Sequence, residues 1–200
     1  VRDFKWPRVA SGPAKSWKEA DKYAAKLLAE SSTVAGSLAA EPGSVGTAAY
    51  TDMDGYITSK LNSQELALYR SNLAKALLCL ANGKLALDYA KQYYQDSCLH
   101  NGNGDAFRHC LWNYGMTIDV GAAFAKKWSD AHEYGTTGQP LIERQMDLYN
   151  NQQGINLGVA NPWTIWHSTF ISKSRQKCRD GALKRIVNSK VVASSNACEK

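Results

Sequence analysis

Apolar residues recur at intervals of three and four along most of the chain, the spacing of one face of an α-helix. Trp17, Ala20, Ala24, Leu27 and Leu28 predict a helix over Ser16–Glu30. The stretch SSTVAGSLAAEPGSVGTAAYTDMDGYITS that follows is rich in Gly, Ser, Thr and Ala and predicts a long irregular segment. Asn62 and Glu65 have the spacing of a capping box and open a helix through Leu80. Asn82-Gly83 predicts a break, after which a second helix runs to about Gln95. Gly102–Gly104 reads as a loop. Further helices are expected over Asp105–Thr117, from a cap at Asp119 to Glu133, and from Pro140 to just before Gly154. Asn161-Pro162 opens one more, which continues past Arg175. The Val-rich stretch Ile186–Val192 suits a short strand or a terminal helix. There is no alternating strand series and no internal repeat. The expected fold is therefore mostly α: a single-domain multi-helix bundle over residues 1–200, disulfide-bearing, with a long irregular N-terminal segment.

Composition narrows this picture only slightly. At 200 residues, 44% apolar and 21% charged, the chain is long enough for a real core and has a globular balance. Its longest apolar run, Leu73–Ala81, contains Lys75 and is too short to span a bilayer. The formal net charge is +6. Much of the excess lies in Lys173, Arg175, Lys177, Arg179, Lys184 and Arg185, which suits either a solvated helix face or a patch for nucleic acid or phospholipid heads.

The five cysteines form no CxxC pair, so a zinc ribbon is not expected. A chain starting at Val1 suits a processed, extracellular product with one or two disulfides. Cys79, inside LLCLA, reads as a buried thiol. Cys98, Cys110, Cys178 and Cys198 are the bridge candidates, with the pairing open.

The chemistry concentrates in NGNGDAFRHCLWN. On a helix, Asp105, Arg108, His109, Trp112 and Asn113 share one side, and Ala106, Phe107, Cys110, Leu111 and Tyr114 the other. An acid, a guanidinium, an imidazole, an indole and an amide are more varied than a solvating face needs. Asp130, His132 and Glu133 close the next helix, and Asp147, Asn150 and Asn151 line one side of the helix after it. If the apolar stripes meet in a core, these polar stripes can converge in a cleft.

There His109 and His132 could transfer protons, Asp105 could orient an imidazole, and Glu133 or Asp147 could act as a base. Arg108 could hold a phosphate, and Asn113 and Asn151 could stabilise a developing oxyanion. His109, His132 and Asp147 form a candidate set for a divalent metal. Trp112, Asn150, Lys173 and Arg175 are candidate substrate contacts. A buried structural network is the competing reading of the Asp105–Arg108–His109 group. His100 reads as a loop residue, and His167 as packing beside Trp163 and Trp166.

The succession GDAFRHCLWN, AHEYG, MDLYNNQQGINLG resembles an uncharacterised helical domain of bacterial secreted and toxin-associated proteins. Its pattern is roughly D-A-x-R-H, A-H-E, M-D-L-x-N-N-x-x-G. The resemblance covers about residues 100–158 and implies Asp105, Arg108, His109, His132, Glu133, Asp147, Asn150, Asn151 and Gly154 as signature positions. It implies a catalytic-looking site and a secreted, toxin-like or defensive context, with the substrate open. Cys110 inside the motif points to a disulfide-bearing variant.

Two weaker signals complete the reading. TDMDGYITSKLN looks like a calcium loop at Asp52, Asp54, Gly55 and Ile57, but Tyr50 and Leu61 stand where carboxylates are required, which favours a turn. Trp163-Thr164-Ile165-Trp166 beside the basic tail is a candidate membrane or glycan contact.

The leading expectation is a secreted hydrolase acting on an anionic substrate, a phosphodiester of nucleic acid or phospholipid. His109→Ala and His132→Ala should then each abolish cleavage with helicity intact. The alternatives are a non-enzymatic membrane- or glycan-binding toxin or defence protein, and glycan hydrolysis by Glu133 and Asp147. Sequence fixes neither the oligomeric state nor a cofactor.

Overall fold

The computed structural model describes residues 54–164 and 167–200, without the side chains of 165–167. The expected helix over Ser16–Glu30, most of the irregular segment after it, and Asp52 lie outside the described residues. Residues 54–58 are helical, and Asp54 Oδ1 accepts a 2.9 Å hydrogen bond from Tyr69, so Asp54 belongs to a helical turn packed on the bundle.

The helices are α1 (Ser63–Ser71), α2 (Leu73–Tyr93), α3 (Asn103–Val120), α4 (Ala122–Gly135), α5 (Leu141–Ala160) and α6 (His167–Arg179). A short 3₁₀ turn, Asp96–Cys98, precedes α3. The chain closes with an antiparallel hairpin of β1 (Lys184–Val187) and β2 (Lys190–Ala193), in which Lys184 pairs with Ala193. No described helix is long and apolar enough to cross a membrane.

The capping box forms as read. Asn62 Oδ1 accepts from the Gln64 and Glu65 amides, and Glu65 Oε2 accepts from the Asn62 amide. The break falls elsewhere: α1 ends at Asn72, whose side chain caps α2, and α2 runs straight through Asn82-Gly83. Tertiary partners explain why. Asn82 donates to Leu78 O and to Asp119 Oδ2, and a Cβ at Gly83 would stand 3.2 Å from the Trp112 indole nitrogen. Asp119 is therefore a partner of α2 rather than a cap. Gly121, at φ +82°, caps α4, a conformation that glycine adopts without steric penalty.

The central helix is α3, which packs against α2, α4, α5 and α6. Phe107, Cys110, Leu111 and Tyr114 form its expected apolar side, and all are fully buried. Burial of each large apolar side chain contributes roughly 1.5–3 kcal/mol. The opposite side is buried as well: Asp105, Arg108, His109 and Asn113 are at most 6% exposed. The stripe expected to line a cleft is an interior polar layer packed mainly against α5.

That packing depends on small residues. A Cβ at Gly154 would stand 2.2 Å from the Cys110 carbonyl oxygen, and one at Gly158 would stand 2.4 Å from Thr117 Cγ2. Gly154 is thus a helix-crossing residue, and α5 continues past it to Ala160 instead of ending before it.

The C-terminal segment straps the start of α3. Cys98 and Cys198 form a disulfide, while Cys79, Cys110 and Cys178 are buried free thiols. Of the four bridge candidates, Cys110 and Cys178 are therefore not bridged. Asn103 Oδ1 accepts from the Ser195 amide and its Nδ2 donates to Ala197 O, so the strap also holds the first turn of α3. The Val-rich stretch Ile186–Val192 lies in the hairpin, not in a terminal helix.

Candidate active site

Asp105 sits in the first turn of α3, where a carboxylate is favoured by the helix dipole. Its Oδ2 accepts a 2.6 Å hydrogen bond from the Asn101 amide, and its Oδ1 accepts from Arg108 Nε (3.1 Å) and Nη2. One turn on, His109 lies between two hydrogen-bond partners. Arg108 Nη2 is 2.7 Å from Nε2, and Nδ1 is 2.9 Å from Asn151 Oδ1. A guanidinium can only donate, so Nε2 accepts and the proton resides on Nδ1. Asn151 Oδ1 takes a further bond from Asn113 Nδ2 (2.7 Å), and Asn151 Nδ2 donates to Glu133 Oε1 (3.1 Å).

Two carboxyls from other helices complete the cluster. Gln139, in the α4–α5 connection, donates through one nitrogen to Glu133 Oε2 (3.0 Å) and to Asp147 Oδ2 (2.9 Å). Asp147 Oδ1 lies 3.3 Å from His109 Nε2 and accepts no hydrogen bond from the described residues.

Three buried acids thus surround one guanidinium, and their proton affinities separate. Burial acts to raise Asp105, but Arg108 and His109 overcome it and hold the carboxyl below the usual range. Burial also acts to raise Glu133, and the imidazoles of His109 and His132 with the amides of Gln139 and Asn151 outweigh it. At Asp147 the Gln139 bond and the nearby Arg108 charge do not prevail. Burial, followed by repulsion from Asp105 and Glu133, pushes it up to about 9, so it carries a proton at neutral pH. Burial, reinforced by Arg108, pushes His109 down to about 4, leaving the imidazole neutral.

The cluster forms the floor of a cleft of about 600 Å³, lined in part by Asp105, Arg108, Trp112, Glu133 and Asp147. His109 lies just behind this wall and is fully buried. His132 lines the cleft at some remove. Its Nδ1 is 2.7 Å from Glu65 Oε1 and its ring stands edge-on to Trp112, with centroids 5.1 Å apart. His132 is therefore not in the metal-ligand set expected from sequence. Among the described residues, the group whose ligand atoms lie within 4.8 Å of one another is Asp105, His109 and Asp147.

The remaining candidates divide. Trp112 lines the cleft and anchors its indole N–H on Cys79 O at 2.8 Å. Asn113 and Asn151 hold the network together behind the cleft wall. Asn150 is a structural clamp: its side chain bonds both the N–H and the C=O of Lys184. Neither Lys173 nor Arg175 lines the cleft, and Arg175 is paired with Glu199 and lies over the Tyr93 ring. His100, read as a plain loop residue, borders the cleft with its Nε2 3.6 Å from Glu143 Oε1.

Two contributors escape the sequence reading. Glu65 was legible only as a capping residue, and Gln139 sits in a loop without periodic signal.

A family model described as a domain of unknown function (DUF6973) matches residues 66–182, more than half of the chain, and the chain belongs to that family. The matched span contains the whole buried cluster but neither Glu65 nor Cys198. No solved structure matches this chain.

Proposed function

We propose that this member of the DUF6973 family is a hydrolase of an anionic substrate, a phosphodiester of nucleic acid or phospholipid. The observation that carries the reading is the pairing of Glu133 and Arg108 across His109. Glu133 Oε1 lies 3.6 Å from Nδ1 and Arg108 Nη2 lies 2.7 Å from Nε2, and both side chains open on the cleft. A carboxylate held ionised can take a proton from an attacking water. A guanidinium beside it can hold the phosphoryl oxygens and the charge that develops on them. His132, with Nδ1 donating to Glu65, can in its imidazolium form give the proton of its other ring nitrogen to the leaving group. His109 is then a positioning residue that fixes Arg108 and, through Asn151, Glu133.

A second reading is favoured by the Gln139 bridge. Glu133 and Asp147 share one Gln139 nitrogen and are pushed in opposite directions, Glu133 toward the carboxylate and Asp147 toward the acid. That is the arrangement of a general base and a general acid, as used on glycosides. The Cys98–Cys198 disulfide supports an oxidising, extracellular setting for either activity, in keeping with a secreted toxin or defence role. Trp163, 90% exposed, is the point at which a peripheral contact with membrane or glycan would form.

The full chain, incubated with RNA, DNA, anionic phospholipid vesicles and neutral glycan polymers, tests these readings. Phosphodiester cleavage that Glu133→Gln abolishes supports the first. Glycan cleavage lost in both Glu133→Gln and Asp147→Asn supports the second. Vesicle or glycan binding without cleavage overturns both in favour of a binding protein.

A further inference from the structure

We propose that Asp105 Oδ1, His109 Nε2 and Asp147 Oδ1 are the ligands of a divalent transition-metal cation at the floor of the cleft. One ligand atom from each of the three residues lies within 4.8 Å of the other two, and all three residues are buried. His109 Nε2 is 3.6 Å from Asp105 Oδ1 and 3.3 Å from Asp147 Oδ1. Ligands ~2.1 Å from a tetrahedral ion stand ~3.4 Å apart, so these separations need little adjustment.

Asp147 supplies the independent observation. It is 6% exposed, its Oδ1 has no hydrogen-bond partner among the described residues, and that oxygen lies 3.3 Å from the imidazole Nε2. A buried carboxylate oxygen without a partner is a costly arrangement that a cation relieves. The imidazole tautomer is also correct for ligation: Nδ1 carries the proton toward Asn151, the outer-sphere bond that orients a metal-binding histidine, and leaves Nε2, now accepting from Arg108, without a proton.

Arg108 Nη2 now lies against Asp105 Oδ1 and His109 Nε2, a positive charge placed on two of the three ligands. An ion there takes over that neutralisation and releases the guanidinium into the cleft it already lines. One imidazole and two carboxylates form a mixed donor set suited to Zn²⁺ or Mn²⁺. With three protein ligands and an open side, the bound ion would act as a Lewis acid toward water or an anionic substrate.

The inference stands on these atoms and not on the hydrolase reading. Binding without turnover would sink only the latter, and turnover unaffected by EDTA with no binding would sink only the former. The experiment is isothermal titration of the EDTA-stripped full chain with ZnCl₂ or MnCl₂, with Co²⁺ absorption as a second probe. The expected result is one ion per chain, a raised melting temperature and an intense visible Co²⁺ band. Asp147→Asn should bind about 10-fold more weakly or worse, with Lys190→Gln, exposed on the terminal hairpin, unchanged. No binding, equal affinity in Asp147→Asn, or a Co²⁺ spectrum identical to that of the free aqueous ion overturns the proposal, the last even if the variants fail to fold.

Discussion

Gly154 of α5 lies directly on the Cys110 carbonyl of α3, so close that a Cβ would stand 2.2 Å from the oxygen. This contact sets the spacing between the helix carrying Arg108 and His109 and the helix carrying Asp147 and Asn151. Gly154→Ala forces two backbones apart, because no flexible side chain can yield. It should destabilise by about 3 kcal/mol or more and weaken the His109–Asn151 bond. Urea melts check the first, and loss of activity out of proportion to unfolding checks the second. Gly158→Ala meets Thr117 Cγ2 at 2.4 Å and Cβ at 2.5 Å, a β-branched side chain that cannot rotate clear, and should destabilise as well.

Asp147 makes stability depend on pH in a specific direction. Its carboxyl is pushed up to about 9 in the folded chain, against ~3.9 when unfolded. The folded state therefore keeps a proton that the unfolded state releases. This contribution is complete below ~4 and is lost as pH rises through about 9. Asp147→Asn removes the dependence, so its melting temperature should gain on the wild type steadily from pH ~5 to pH ~9. Burial pushes His109 down to about 4, with the opposite consequence: its contribution is full above ~6.5 and lost as pH falls through about 4. Thermal melts of both proteins across this range read the two limbs separately.

His109→Ala was expected from sequence to leave the fold intact. The structure revises that expectation. The ring is fully buried, and its removal leaves Arg108 Nη2 and Asn151 Oδ1 without their imidazole partner and opens a cavity. A loss of about 2–4 kcal/mol is expected, measured by denaturant titration, alongside loss of activity. His132→Ala lies at the cleft wall and should be much less destabilising.

The Cys98–Cys198 bridge spans 100 positions in sequence and clips the C-terminal strap beside the first turn of α3. Reducing it should lower stability by about 4 kcal/mol. It should also loosen Asn101 and Asp105, which follow Cys98 closely and share a 2.6 Å bond. Melts with and without reductant, together with hydrogen exchange at the Asn101 amide, check both effects.

Most helices were legible because their apolar periodicity is local, and the Asn62–Glu65 cap because its chemistry lies within four residues. What failed was punctuation decided by contacts distant in sequence. Gly83 does not break α2 because Trp112 packs on it, and Gly154 does not end α5 because α3 lies against it. The DAxRH stripe announced polar chemistry, and Glu133, Asp147 and Asn151 do gather round it. Periodicity alone could not show that this stripe is interior. Nor could it show that His132 turns to Glu65 while Asp105 joins His109 and Asp147. Gln139 had no sequence signal, since its role depends on how the α4–α5 connection folds over two carboxyls.

The central claim is that Glu133 and Arg108 act together on a scissile anionic group. Steady-state cleavage of a phosphodiester by the wild type, Glu133→Gln and Arg108→Lys, each verified as folded by circular dichroism, tests it most directly. A fall in kcat of about 100-fold or more is expected for Glu133→Gln, and a large loss for Arg108→Lys, which keeps the charge but not the planar fork. Cleavage by both variants at the wild-type rate would contradict it.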